Sequence, residues 1–189
     1  MKNYNHCLLI VVFIMTIFLT SCSREPNLDN VDITNACQIL SKQIEWKNSL
    51  KITSEKYGIP PSLVMAVIYQ ESKFKATAKN PQSSAYGYAQ VIDSTWKNYE
   101  KQEGGSQSRS DFLNSTNFIG WYLSKLKYKL NLNWSDQKKL YIAYLLGEHG
   151  YHKYYLSGSK NKRIIEIEKI AKGVASLSVQ YKDQMLKCE

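Results

Sequence analysis

The stretch PPSLVMAVIYQESKF, residues 60–74, decides the fold. Its prolines open a helix, because a proline in the first turn gives up only an N–H that has no intrahelical partner. Val64, Val67 and Ile68 lie seven, four and three residues before Glu71, so all four side chains share one helix face, the buried one. A carboxyl group on such a face is desolvated, which raises its pKa above the ordinary value of about 4.3. At about 6 or above it donates a proton near neutral pH, the property of a general acid. The alternative is a glutamate at a helix end that points to solvent or pairs with Lys73 or Lys75.

Helical spacing continues on both sides of this segment. Thr34 or Asn35 can cap a segment reaching Tyr57, with Ile39, Leu40, Ile44, Trp46 and Leu50 as apolar points, room for a break near Glu45, and Gly58 at the end. Asp111 caps a long helix through Phe118, Leu123 and Leu130, and Ser135 or Asp136 caps another through Leu140, Ala143, Tyr144 and Leu146. A last helix runs from about Lys162 to Lys187, with Ile164, Ile167, Ala171, Val174, Tyr181 and Met185 in register and Cys188 extending the same stripe. No strand alternation or internal repeat stands out. The expectation is an all-α domain with one long non-helical stretch, about Phe74 to Ile92, followed by Asp93 as the cap of a helix through Trp96.

The chain has 189 residues, 43% of them hydrophobic and 22% charged, which suits one globular domain and excludes a disordered or collagen-like polymer. Leu8 to Leu19 is an apolar run of twelve residues broken only by Thr16. At about 1.5 Å per helical residue it falls well short of a bilayer core of about 30 Å, so it reads as the apolar region of a signal peptide. Leu19-Thr20-Ser21-Cys22 then resembles a bacterial lipobox, in which the cysteine sulfur takes a diacylglycerol. Residues 1–21 are therefore read as a lipoprotein signal peptide and Cys22 as the lipidation site. Residues 22–35 are read as a flexible tether, and 36–189 as the domain. Acyl chains on Cys22 would hold the protein on a membrane. Ser23, rather than Asp, after the cysteine points to the outer membrane, facing the periplasm. A plain signal sequence that happens to contain a cysteine is the alternative.

Lys and Arg number 25 against 16 Asp and Glu; without residues 1–21, which hold Lys2 and no acid, 24 minus 16 leaves +8. A basic surface suits nucleic acid, anionic lipid or a carboxylate-rich polymer. An exported, lipid-anchored protein meets the last two, and no nucleic-acid partner is expected. With Cys7 in the signal and Cys22 acylated, Cys37 and Cys188 remain near opposite ends of the mature chain. In an oxidising compartment they are expected to form one disulfide, two buried free thiols being the alternative. His149 and His152 have the spacing of some metal pairs but lack a third ligand, so no metal is expected.

Three short motifs follow one another between about Tyr57 and Tyr155. They are Glu71-Ser72-Lys73-Phe74, then Ser84-Ala85-Tyr86-Gly87-Tyr88-Ala89-Gln90, then Ala143-Tyr144-Leu145-Leu146-Gly147. In this order they resemble the Glu-Ser, Gly-x-x-Gln and Ala-Tyr-Asn-x-Gly motifs of the lysozyme-like lytic transglycosylase (SLT) domain, and of lipoproteins that carry it. The resemblance implies a goose-type, lysozyme-like helical fold and cleavage of peptidoglycan strands without a cofactor. Glu71 would be the single acid/base. It would protonate the oxygen between N-acetylmuramic acid and N-acetylglucosamine, then take the proton of the muramoyl C6 hydroxyl as that oxygen closes on C1. The product is a 1,6-anhydro end, which removes the demand for the second carboxylate of ordinary glycosidases.

By the same resemblance Ser72, Gly87 and Gln90 line the groove, Gly87 letting backbone approach a sugar and Gln90 offering its amide. Tyr144 would direct its phenol toward Glu71 or the sugar, and Tyr86, Tyr88 and Tyr151 are candidates for sugar-facing walls. Leu145 departs from the family pattern, standing where the third motif has Asn, and Glu148 or His149 could supply the missing polar contact. If Asp93 held a water opposite Glu71, the enzyme would be a hydrolytic muramidase; a non-catalytic peptidoglycan-binding assembly lipoprotein is the other alternative. The motifs leave open whether such a protein serves wall turnover, division, or passage of an envelope-spanning assembly.

Overall fold

A computed structural model describes residues 25–156, 158 and 161–188; the expected signal peptide and Cys22 lie outside the described residues. Seven α-helices follow in chain order: α1 Ala36–Lys42, α2 Ile44–Tyr57, α3 Pro61–Ser72, α4 Asp93–Glu103, α5 Phe112–Lys129, α6 Gln137–Gly150 and α7 Lys162–Met185. A π-helical turn, Tyr151–Leu156, continues from α6. Among the described residues there is no strand, and the fold is all-helical. Two isolated antiparallel bridges, Lys79 with Tyr86 and Tyr86 with Val91, give the segment between α3 and α4 its shape.

Local chemistry sets the helix ends. Asn35 caps α1 by accepting the Gln38 N–H at 3.1 Å. The break in the first helical segment falls at Gln43, whose φ of −120° and ψ of 72° leave the helical region. Gly58 closes α2 in the left-handed region at φ 66°, its N–H on the Ser54 carbonyl at 2.8 Å. Asp111 caps α5 through the Asn114 N–H at 2.8 Å, and Asn161 caps α7 through that of Ile164 at 3.0 Å.

Helix α3 is the axle of the domain. Leu63 through Ile68 are each 0% exposed, so this helix is covered all round rather than on one stripe. It packs along α7, which also carries α6; α5 bridges α6 and α2. Truncating Leu63 or Ile68 to Ala would cost about 2–5 kcal/mol. A rigid, buried α3 fixes the position of the glutamate near its end.

One expectation needs correcting. Residues 22–35 read as a flexible tether, yet residues 25–35 are docked on the domain. The Glu25 carboxylate accepts the Ala76 and Thr77 N–H groups at 2.8 and 2.7 Å, and the Thr77 hydroxyl as well. Leu28, Val31 and Ile33 pack against the core, and the Tyr181 hydroxyl donates to the Ile33 carbonyl. Three apolar side chains scattered among polar ones show no period, but each finds core surface. Cys37 of α1 and Cys188, just beyond α7, are bonded, with their Cα atoms 5.7 Å apart.

Candidate active site

Glu71 is the next-to-last residue of α3. The helix stops because Lys73 and Phe74 both adopt left-handed conformations, at φ 53° and 61°, with the Lys73 N–H on the Tyr69 carbonyl at 3.0 Å. Two consecutive non-glycine residues in this region are uncommon and mildly strained. They turn the chain into the 74–92 segment, which returns at Gln90 to the cleft that Glu71 lines.

That cleft has a volume of about 300 Å³. Its walls include Gln90 and Ile92 from the crossing segment, Tyr122 from α5, and Tyr144 and Leu145 from α6. Burial pushes the Glu71 carboxyl up to about 7, against the lowering influence of the Tyr141 hydroxyl and the Lys73 charge. Tyr141 donates to Glu71 Oε1 at 2.6 Å. An oxygen that already accepts this bond leaves Oε2 to carry the acidic proton. Among the described residues, Glu71 is the only carboxylate that lines the cleft.

The second motif is a structural crossing. Gly87 sits at φ 78°, and a Cβ there would lie 1.9 Å from the Arg109 carbonyl oxygen. Glycine is thus required by the backbone of residue 109, a contact within the protein rather than with a sugar. The Arg109 guanidinium donates to the Ser84 and Val91 carbonyls at 2.9 and 2.7 Å and pairs with Asp93 at 2.8 Å. Gln90, itself at φ 47°, donates its amide to the Ala78 and Gly87 carbonyls, both at 2.9 Å. Its side-chain oxygen accepts no hydrogen bond from the described residues, which leaves an acceptor at the cleft wall.

The third motif supplies struts. Tyr144 donates to the Ala89 carbonyl at 2.6 Å instead of reaching Glu71, so it ties α6 to the crossing segment. Its ring meets those of Tyr141 and Tyr122 at centroid distances of 6.1 and 5.6 Å. Gly147, at φ 67° and ψ 172°, kinks α6 in a conformation open essentially to glycine alone. Leu145, 37% exposed, presents an apolar side chain in the cleft wall where the family has Asn.

The remaining sequence candidates lie elsewhere. Ser72 is buried, with its hydroxyl on the Ile68 carbonyl at 3.1 Å. Tyr88 is 3% exposed and edges onto Trp46 and Phe112 in the core. Tyr151 is buried against Tyr155, ring centroids 4.9 Å apart. Tyr86 is half-buried between Lys79 and Arg109. Glu148 pairs with Lys129 in a neighbouring groove that shares Thr95 and Tyr122 with the cleft, so it does not replace the missing Asn beside Glu71. Asp93 opens α4, with Ile92 in the cap position, and its carboxylate is held by Arg109, outside the cleft lining.

Three residues of the site are not among the site candidates of the sequence: Tyr141, Arg109, and Tyr122, which the sequence marks only as a point on the apolar stripe of α5. Tyr141 lies three residues before Tyr144 and therefore on the same helix face, a signal that the motif alone conceals.

A helical domain that buries one protonatable glutamate at the wall of an open cleft has the makings of a glycan-cleaving enzyme of the lysozyme-like class. The sequence profile of the transglycosylase SLT domain matches residues 10–188, and the chain belongs to this family of peptidoglycan lytic transglycosylases, which are glycan lyases. Its substrate is peptidoglycan. Comparison with curated proteins gave no match.

Proposed function

We propose that the chain cleaves the β-1,4 bond between N-acetylmuramic acid and N-acetylglucosamine by a single-glutamate route that consumes no water. Glu71 Oε2 protonates the glycosidic oxygen as the C1–O bond breaks. The muramoyl C6 hydroxyl oxygen then bonds to C1, and its proton returns to the Glu71 carboxylate. The new end is a 1,6-anhydro sugar, and the enzyme regains its starting protonation state. A pKa near 7 suits both halves of the cycle, because the group must give up a proton and then take one back. The observation that carries this reading is the one carboxylate that lines the cleft among the described residues, protonatable near neutrality, with Asp93 engaged by Arg109 elsewhere.

Mass spectrometry of digested sacculi tests it. Muropeptides lighter by one water than hydrolytic products, and absent with Glu71→Gln, are expected; products at the hydrolytic mass would overturn it. Cys22, after the lipobox Leu19-Thr20-Ser21, is proposed as the lipid anchor, with Ser23 favouring the periplasmic face of the outer membrane. A mature N-terminus whose mass lacks a diacylglyceryl thioether would overturn the anchor.

A further inference from the structure

The Glu71 cleft does not end at its own walls. On one side it shares Thr95 and Tyr122 with the groove that holds Glu148. On the other, Leu145 and Leu146 are shared with a recess of about 260 Å³ whose further walls are Gly150, Tyr154, Asn161, Arg163 and Ile164. The Glu71 cleft is thus flanked by two recesses that share walls with it, and the two differ in how their cations are held.

In the Glu148 arm the cations are engaged. Lys129 pairs with Glu148, and Lys125 donates to Gln102 Oε1 at 3.0 Å with its ammonium 4.4 Å from the Trp121 ring centre. In the Leu145 arm the cation is unneutralised. Arg163 is exposed in the first turn of α7, and among the described residues it forms no ion pair and no carboxylate lines the recess. Leu145, Leu146 and Ile164 give the recess an apolar wall, with Asn161 and the 39% exposed Tyr154 beside them. Its depth depends on Gly150, where a Cβ would come within 3.1 Å of Leu146 Cβ.

We propose that this arm receives the peptide stem of the muramoyl residue, Arg163 binding a stem carboxylate while the Leu145–Leu146 wall takes the methyl groups of the lactyl and alanyl units. A planar guanidinium with no carboxylate partner among the described residues suits a carboxylate, which it can grip through two parallel N–H bonds. A bare sugar offers neither a negative charge nor so many methyl groups, so the arm is built for the part of the polymer that is not glycan. Leu145, the departure from the family motif, then acts as the hinge of specificity: it lines both the catalytic cleft and the stem arm. The inference rests on cleavage of peptidoglycan at Glu71.

The full-length protein would be assayed on glycan strands with peptide stems intact and on strands stripped of stems by an amidase. The ratio of kcat/KM on intact to stripped strands is expected to exceed one. It should fall at least about threefold in Arg163→Gln, mainly through KM, fall further in Arg163→Glu, and recover only in part in Arg163→Lys, which keeps the charge but not the two-pronged grip. An unchanged ratio in Arg163→Glu would overturn the stem arm, as would equal losses on both polymers. A wild-type ratio of one, with product still released, would overturn it while leaving the Glu71 reading intact. Release of product from neither polymer would overturn both.

Discussion

The proton on Glu71 is governed by three influences that do not point the same way. Burial raises its affinity for the proton, while the Tyr141 hydroxyl and the Lys73 charge favour the carboxylate. In the proposed route the protonated Glu71 acts first, so kcat/KM should be highest below about pH 7 and fall about tenfold per pH unit above it. Tyr141→Phe removes a donor to the carboxylate and leaves the ring in place, so the same alkaline limb should move to higher pH. Profiles of wild type and variant between about pH 5 and 9 check both statements. A limb that stays put or moves down in the variant would show that the 2.6 Å bond does not tune the acid.

At the scale of elements, the crossing segment between α3 and α4 positions the far wall of the cleft, and it is held by contacts of its own backbone. Gly87→Ala would drive a Cβ into the Arg109 carbonyl and force an L side chain to φ 78°. Arg109 cannot yield cheaply, since its guanidinium also ties down Ser84, Val91 and Asp93. The variant should lose about 1–3 kcal/mol of stability, read as a lower urea midpoint, and lose activity as Gln90 is displaced. A midpoint and rate equal to wild type would mean that the crossing is slack.

These same elements show what the sequence conveys and what it hides. Helices with a 3.6-residue stripe and a side-chain cap, such as α5 behind Asp111 and α7 before Cys188, are legible because burial and capping are local patterns. Glu71 is legible because Val64, Val67 and Ile68 mark its face as buried. The partner of Glu71 is not: Tyr144 and Tyr141 share a helix face, and only packing decides which hydroxyl reaches the carboxylate and which reaches the Ala89 carbonyl. Arg109 was equally hidden, because its contacts join residues 16 to 25 positions apart in an irregular segment. The docked arm 25–35 escaped because three isolated apolar residues and one carboxylate carry no period at all.

The whole molecule is closed by its two ends. Cys37 in α1 and Cys188 beyond α7 are 151 positions apart and bonded. Around that bond, Gln184 Oε1 accepts the Ala36 N–H at 2.7 Å and Gln180 donates to the Thr34 carbonyl at 3.0 Å. Closing so long a loop restricts the unfolded chain, and the chain-entropy treatment puts the stabilisation at roughly 5 kcal/mol. The walls of the Glu71 cleft come from α3, α5, α6 and the crossing segment into α4, none of which carries either cysteine. Stability and chemistry should therefore separate. Cys37→Ser and Cys188→Ser should each lower the urea midpoint by a similar amount, and reducing the wild type should bring its midpoint down to theirs. At a temperature where all three remain folded, kcat/KM should stay within about twofold of the oxidised wild type, well below the change that 1.4 kcal/mol at the transition state would produce. Free-thiol labelling of both cysteines in the native protein, or a reduced midpoint equal to the oxidised one, would show that the ends are held by packing and hydrogen bonds alone.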